Sequence, residues 1–215
     1  MQLYHGSETI LERPEYGKGN PYYDYGLGFY CTEHVELAKE WACKDASGGY
    51  VNSYELDTAG LKILSLSDYT ILHWLALLVH YRKFRMTGAL MAEGRDWLEE
   101  RYLLDVSPYD LITGYRADDS YFRFARAFLQ NSLSLEALER AMYLGDLGIQ
   151  VVLKSETVFH QLQFQSADPV EGPLYYQRRL NRDQTAREQF DVIQREQEHK
   201  GIYLIDLLRG EVTLK

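Results

Sequence analysis

The chain has only two cysteines, Cys31 and Cys43, among its 215 residues. They form no C-x-x-C pair and show no metal-ligand spacing. Neither a disulfide framework nor a structural zinc is therefore expected, and a reducing cytoplasm is the simplest setting. A chain of this length buries about 70% of the surface its unfolded form exposes, so it needs no such staples. Long apolar runs are also missing. The most apolar stretch, TILHWLALLVHY (Thr70–Tyr81), is 12 residues long and contains two histidines. A membrane span needs about 20 apolar residues, so this segment reads as a buried helix and no membrane partner is expected. The start, MQLYHGSETI, lacks a basic region followed by an apolar core, so no signal peptide is expected. Basic charge is short as well. Lys and Arg number 23 against 32 Asp and Glu, a net charge of −9. That argues against a broad electrostatic grip on nucleic acid but not against a local basic groove. No G-x-x-x-x-G-K-[ST] loop occurs, which leaves a nucleotide triphosphatase unsupported. The glycine pair of GLGFYC is no dinucleotide fingerprint: Cys31 stands near where the third glycine belongs, and the glycines precede the strand.

Apolar residues make up 46% of the chain and charged residues 26%, the balance of a globular protein. Eighteen tyrosines are many, and tyrosine combines ring area with a hydroxyl. Residues 2–5 and 28–31 read as short strands separated by a polar loop with Pro14, Gly17, Gly19 and Pro21. Thr32 can cap a helix with Val35, Ala38, Trp41 and Ala42 on one face. YVNSYEL and LKILSL read as strands, residues 68–104 as helical, and Leu111–Gly114 as a strand. Asp118 or Asp119 can start a helix, and Ser134 can cap the next. IQVVL (Ile149–Leu153) reads as a buried strand, and SETVFHQLQF as a short helix or turn. The charged stretch from Leu174 reads as a solvated helix, and the C-terminal segment as a hairpin. Strands flank a helical centre without regular β-α-β alternation, which predicts an α+β fold. The expected organisation is a single domain over 1–215. It carries a helical insertion at 67–105, a charged helical extension at 175–200 and a terminal hairpin at 201–215.

Two stretches bear on chemistry. In LYHGS, His5 precedes Gly6 and Ser7 near a strand end; in DYGLGFYCT, Gly26 and Gly28 precede Phe29 and Tyr30. Each also has a plain packing role: glycines at a bulge or turn, a packed histidine, a serine cap. Read together, His5-Gly6-Ser7, a polar loop, Gly26-Leu27-Gly28-Phe29-Tyr30-Cys31 and a helix holding AKEWA resemble the ADP-ribosyltransferase superfamily. The closest resemblance is to its histidine–tyrosine branch, which includes the poly(ADP-ribose) polymerases and diphtheria toxin. YRADDSYF (Tyr115–Phe122) and QVVLKS (Gln150–Ser155) also resemble segments of an uncharacterised bacterial family grouped with that superfamily.

The resemblance implies a split β-sheet core that holds NAD in a cleft between two small sheets. It implies that His5 hydrogen-bonds a ribose, that Gly6 presents its backbone to the nicotinamide carboxamide, and that Ser7 reaches carboxamide or ribose. Gly28 would line the cleft, Tyr30 would stack on the nicotinamide ring, and Trp41 falls near a second stacking position. Trp41 reads equally as a core residue of an amphipathic helix. The implied activity is mono-ADP-ribosyl transfer from NAD to a macromolecular acceptor, protein or nucleic acid, with release of nicotinamide and no metal. Relatives of this kind are often toxins beside a small antitoxin. A catalytically inactive NAD- or ADP-ribose-binding module, or an interaction domain on the same fold, is the alternative. Its motive is Gln150, which stands where active members place glutamate; an amide is neither a general base nor a full charge. Asp118 and Asp119 are the first substitutes and Glu156 the next, although all three suit helix starts or turns. His73 and His80 lie seven apart on one apolar helix and read as core or rim residues.

Overall fold

The computed structural model describes every residue except 84, 118, 143, 145–147, 197–200 and 213–215, and for 119–121 the backbone alone. Among the described residues seven strands form two separate sheets. The three-stranded sheet has the order β1 (Gln2–Ser7), β3 (Gly49–Leu56), β7 (Leu162–Val170), all antiparallel. The four-stranded sheet runs β2 (Phe29–Cys31), β6 (Ile149–Leu153), β5 (Leu111–Tyr115), β4 (Ile63–Ser65). Its last pair is parallel and the others antiparallel. The helices are α1 (Val35–Ala42), α2 (Ile71–Tyr81), α3 (Ala89–Tyr102), α4 (Asp119–Leu129), α5 (Leu135–Ala141), α6 (Glu156–Gln161), α7 (Gly172–Glu196) and α8 (Leu204–Leu208). The expected mixture of helices and strands without regular alternation is present.

Strand periodicity divides the core in two. Residues opposite each other in an antiparallel pair share a face, and successive residues alternate. Tyr30, Val152 and Ile112 therefore line one face of the four-stranded sheet, which packs on the α2–α5 helices. Cys31, Val151, Leu153 and Leu111 line the other, against Leu3, Tyr54 and Leu56 of the first sheet. Helix α2 is buried along almost its whole length, which explains its apolar run. Among the described residues no helix is long and apolar enough to cross a membrane.

Three expectations are corrected. The hairpin at 201–215 does not form among the described residues: Leu204–Leu208 is α8, with Leu204 and Leu207 buried on one helical face. The Tyr203 N–H donates to Asp206 Oδ2 at 2.8 Å and fixes its start. The stretch after α6 is strand β7, not a continuing turn. Thr32 does not cap α1 directly; His34 occupies that position. The buried Thr32 hydroxyl instead accepts from the His34 N–H and donates to the Ile149 carbonyl, both at 3.2 Å, tying the entry of α1 to β6. Ser134 does cap α5, accepting from the Ala137 N–H at 3.2 Å.

Candidate functional site

The site begins where β1 and β2 part. Tyr4 and Thr32 exchange both backbone hydrogen bonds, at 2.8 and 2.9 Å, and beyond that bridge the two strands diverge into different sheets. The alternation along β1 decides which groups face the gap. Met1 and Leu56 exchange backbone bonds across the β1–β3 ladder, so the odd residues Leu3, His5 and Ser7 bond to β3. The even residues Tyr4 and Gly6 then present N–H and C=O to the β2 side. Tyr4 uses its pair on Thr32. Gly6, two residues on, would pair with Tyr30 if the ladder continued. It does not continue, because His5 Nδ1 takes the Tyr30 carbonyl at 2.7 Å. Among the described residues Gly6 makes no backbone hydrogen bond to β2, and the alternation of the β1–β3 ladder turns its N–H and C=O away from Val51 and β3.

The imidazole of His5 is therefore a wedge in the fork, and its chemistry follows from its partner. A carbonyl only accepts, so Nδ1 carries the hydrogen and the neutral ring keeps a lone pair on Nε2. Burial pushes the His5 pKa below the ordinary histidine value, against the pull of the Tyr30 carbonyl, which favours this neutral form. Nε2 has no hydrogen bond among the described residues. The ring also lies 4.4 Å from Phe29, centroid to centroid.

Gly6 is a glycine because helix α1 comes too close for anything else. A Cβ there would lie 2.0 Å from the Ala38 carbonyl oxygen, 2.5 Å from Ala42 N and 2.9 Å from Trp41 Cβ. The same contact brings Trp41 to the fork. Its ring is half-buried, its Nε1 is buried with no hydrogen-bond partner among the described residues, and the Arg116 guanidinium lies over it at 4.9 Å. Ser7 is less available. Its hydroxyl donates to Thr9 O at 2.5 Å and accepts from Asn52 Nδ2 at 3.0 Å.

Tyr30 is held through its hydroxyl, which donates to Gly26 O at 2.6 Å and accepts from the Tyr25 N–H at 3.0 Å. Burial pushes its phenol far above the ordinary range, so the group stays neutral and serves as donor and acceptor at once. The turn that makes this possible places Gly26 at φ +72°, a left-handed conformation that favours glycine. Gly28 sits against β6, where a Cβ would come within 2.7 Å of Val152 Cγ1. Lys154 closes the turn from outside, its ammonium donating to Tyr25 O at 2.7 Å and Leu27 O at 2.6 Å. Burial pushes the pKa of this lysine down to about 8.

Gln150 lies behind this wall and is only 3% exposed. Its Nε2 donates to Asp24 Oδ2 at 3.0 Å and to the Tyr115 carbonyl at 3.1 Å. Both amide hydrogens are thus committed inward. A glutamate here would set a second carboxylate against Asp24, which accounts for the amide in physical terms. Asp24 is the residue that sequence reasoning missed. It is buried and also accepts from the Ala117 N–H at 2.9 Å, while Arg82 Nε stands 2.9 Å from its Oδ1. Among the described residues its hydrogen-bond partners are donors and a guanidinium stands beside it, a setting that favours the carboxylate. Burial pushes its pKa up, and Arg82, Ala117 and Gln150 oppose that shift. Asn52 was also missed. It is fully buried in β3, accepts from the Leu11 N–H at 2.8 Å and donates to Ser7 Oγ, which staples the start of the 8–24 loop onto the sheet. Asparagine in a central strand was the available signal, since strands disfavour it.

His5, Gly6, Tyr30 and Trp41 therefore share one fork, with Ser7 at its rim and Gln150 in the layer behind. Asp118 lies outside the described residues, and of Asp119 only its place at the start of α4 is described. Glu156 opens α6, beyond the far end of β6 from Gln150. Among the described residues no three His, Cys, Asp or Glu side chains group to hold a metal.

A model for proteins of unknown function (DUF3990) matches residues 1–164. The chain belongs to that family. No curated protein and no solved structure matches it. The DUF3990 match covers the whole fork and ends within β7, so α7 and α8 lie beyond it. Helix α7 nonetheless bears on the site. Arg178 pairs with Glu36 at 2.9 Å and Arg182 pairs with Glu40, clasping the helix that carries Trp41.

Proposed function

We propose that the fork between β1 and β2 receives the nicotinamide end of NAD, and that the protein transfers ADP-ribose from NAD to a macromolecular acceptor. The observation that carries this reading is the Gly6 backbone pair turned to the β2 side. A carboxamide offers one carbonyl and one NH2, and Gly6 offers the matching N–H and C=O side by side with no side chain between. Trp41 and Tyr30 would supply ring faces for the pyridine, and such stacking contributes on the order of 1 kcal/mol. Nε2 of His5 would accept from a ribose hydroxyl. This arrangement fits the split-sheet core that the sequence resemblance implies. Cleavage of the nicotinamide–ribose bond develops positive charge on the sugar, and fixed negative charge nearby stabilises it. Asp24, linked to the Tyr30 hydroxyl through the Tyr25 backbone, would supply that field from behind the wall.

The test is release of nicotinamide from NAD by the purified chain with cell extract as acceptor source. Release proportional to protein is expected, and Trp41→Ala should be about fivefold slower, the loss of one ring contact. No release above buffer would remove the transferase reading. A second reading, NAD binding without catalysis, is favoured by the buried, inward-facing amide of Gln150, and would show as NAD binding without nicotinamide release.

A further inference from the structure

A second groove, outside the fork, has a chemistry of its own. It lies between the 20–22 loop, the end of α2 and helix α4, encloses about 380 Å³, and is lined by Asn20, Tyr22, Arg82, Lys83 and Phe122. The charged groups among these are both cations, in a chain of net charge −9. Each cation is paired with a ring. The Lys83 ammonium lies 3.9 Å from the centre of the Tyr22 ring, and the Arg82 guanidinium 5.1 Å from that of Phe122. Asn20 Oδ1 is already taken by the Tyr22 N–H at 2.9 Å, so the end of its side chain left over is the NH2 donor. Arg82 stands in an ion pair with Asp24, Nε 2.9 Å from Oδ1 but outside hydrogen-bond geometry, and gives one hydrogen of Nη2 to the Ala117 carbonyl at 2.9 Å.

We propose that this groove binds a nucleotide through its phosphate and base. Clustered donors of this kind suit a phosphate, for which an arginine and a lysine are the usual partners. The rings are what select a nucleotide over an acidic peptide. A carboxylate side chain has no use for an aromatic ring, whereas a base stacks with little regard to sequence on a ring face that the cation does not cover, and the half-exposed Tyr22 ring is the one to receive it. The volume falls at the small end of ligand pockets and suits a single nucleotide. The nucleotide can be a free mononucleotide or the phosphorylated end of a single-stranded nucleic acid; both present the same group. This inference goes beyond the NAD reading of the fork and does not rest on it.

The test uses the full chain and two probes at low salt: AMP by calorimetry, and a labelled short oligothymidylate bearing a 5′-phosphate by fluorescence anisotropy. At least one should bind. Lys83→Glu should weaken that binding tenfold or more and Tyr22→Ala severalfold, while Lys83→Arg retains it. Tyr22 is 48% exposed and Lys83 is exposed, so these variants should melt with the parent chain. Binding of AMP alone identifies a mononucleotide site, and tighter binding of the oligonucleotide identifies a nucleic-acid end. The proposal is overturned if neither probe binds, or if binding is the same in Lys83→Glu and Tyr22→Ala as in the parent.

Discussion

Replacing Gly6 by alanine is expected to lower the thermal midpoint by about 10 °C. The added methyl meets backbone, the Ala38 carbonyl at 2.0 Å and Ala42 N at 2.5 Å, rather than the flexible end of a side chain. Backbone in a helix cannot step aside locally, so the whole of α1 must lift from β1. Overpacking of this kind costs about 3 kcal/mol or more. The displacement also carries Trp41 away from the fork, so any ligand that needs both residues is lost with it. Differential scanning calorimetry of Gly6→Ala checks this. A midpoint within a degree or two of the parent would show that α1 is not seated as described.

Replacing Asp24 by alanine is expected to cost about 3 kcal/mol by denaturant unfolding. The carboxylate is the shared acceptor for the Ala117 N–H and Gln150 Nε2 and the counter-charge for Arg82; its removal strands the Ala117 N–H, takes one of the two acceptors from Gln150 Nε2 and leaves the Arg82 charge uncompensated. The cost lies in what is left unpaired rather than in the ion pair itself. The double replacement of Asp24 by Leu and Arg82 by Met should therefore be more stable than Asp24→Ala alone, because no charge is stranded. A single variant that loses less than about 1 kcal/mol would mean that water or a neighbouring residue takes over the role. The same geometry bears on Gln150→Glu. That change places a carboxylate where an amide now donates to Asp24 at 3.0 Å, so its first effect is on folding.

The parts of this fold legible in the sequence are those set by local pattern. The apolar run of α2, the serine cap of α5 and the β-branched run of β6 all carry their own signals. Strand β7 carries little, only the alternation of Leu162 and Phe164 with Gln163 and Gln165 at its start. It is an edge strand with mostly exposed residues and Pro169 near its end, and an edge needs no apolar alternation. IYLIDLL looks like a strand by composition, yet it is helical in part because Leu204 and Leu207 have a core to enter and Asp206 closes the first turn. The fork was partly legible: His5, Gly6, Tyr30 and Trp41 stand out through their neighbours in sequence. Asp24 did not, although it opens the DYGLGFYCT stretch, because its partners Arg82, Ala117 and Gln150 come from α2, β5 and β6 ends far along the chain. Nothing local distinguishes such an aspartate from one in any turn.

The central claim, that Gly6 and its neighbours form a nicotinamide seat, is tested most directly by titrating NAD into the chain by calorimetry. One molecule should bind per chain, and His5→Ala and Trp41→Ala, each checked for an unchanged fold, should bind more weakly. A titration that gives no heat of binding, or one of equal strength in both variants, would contradict it.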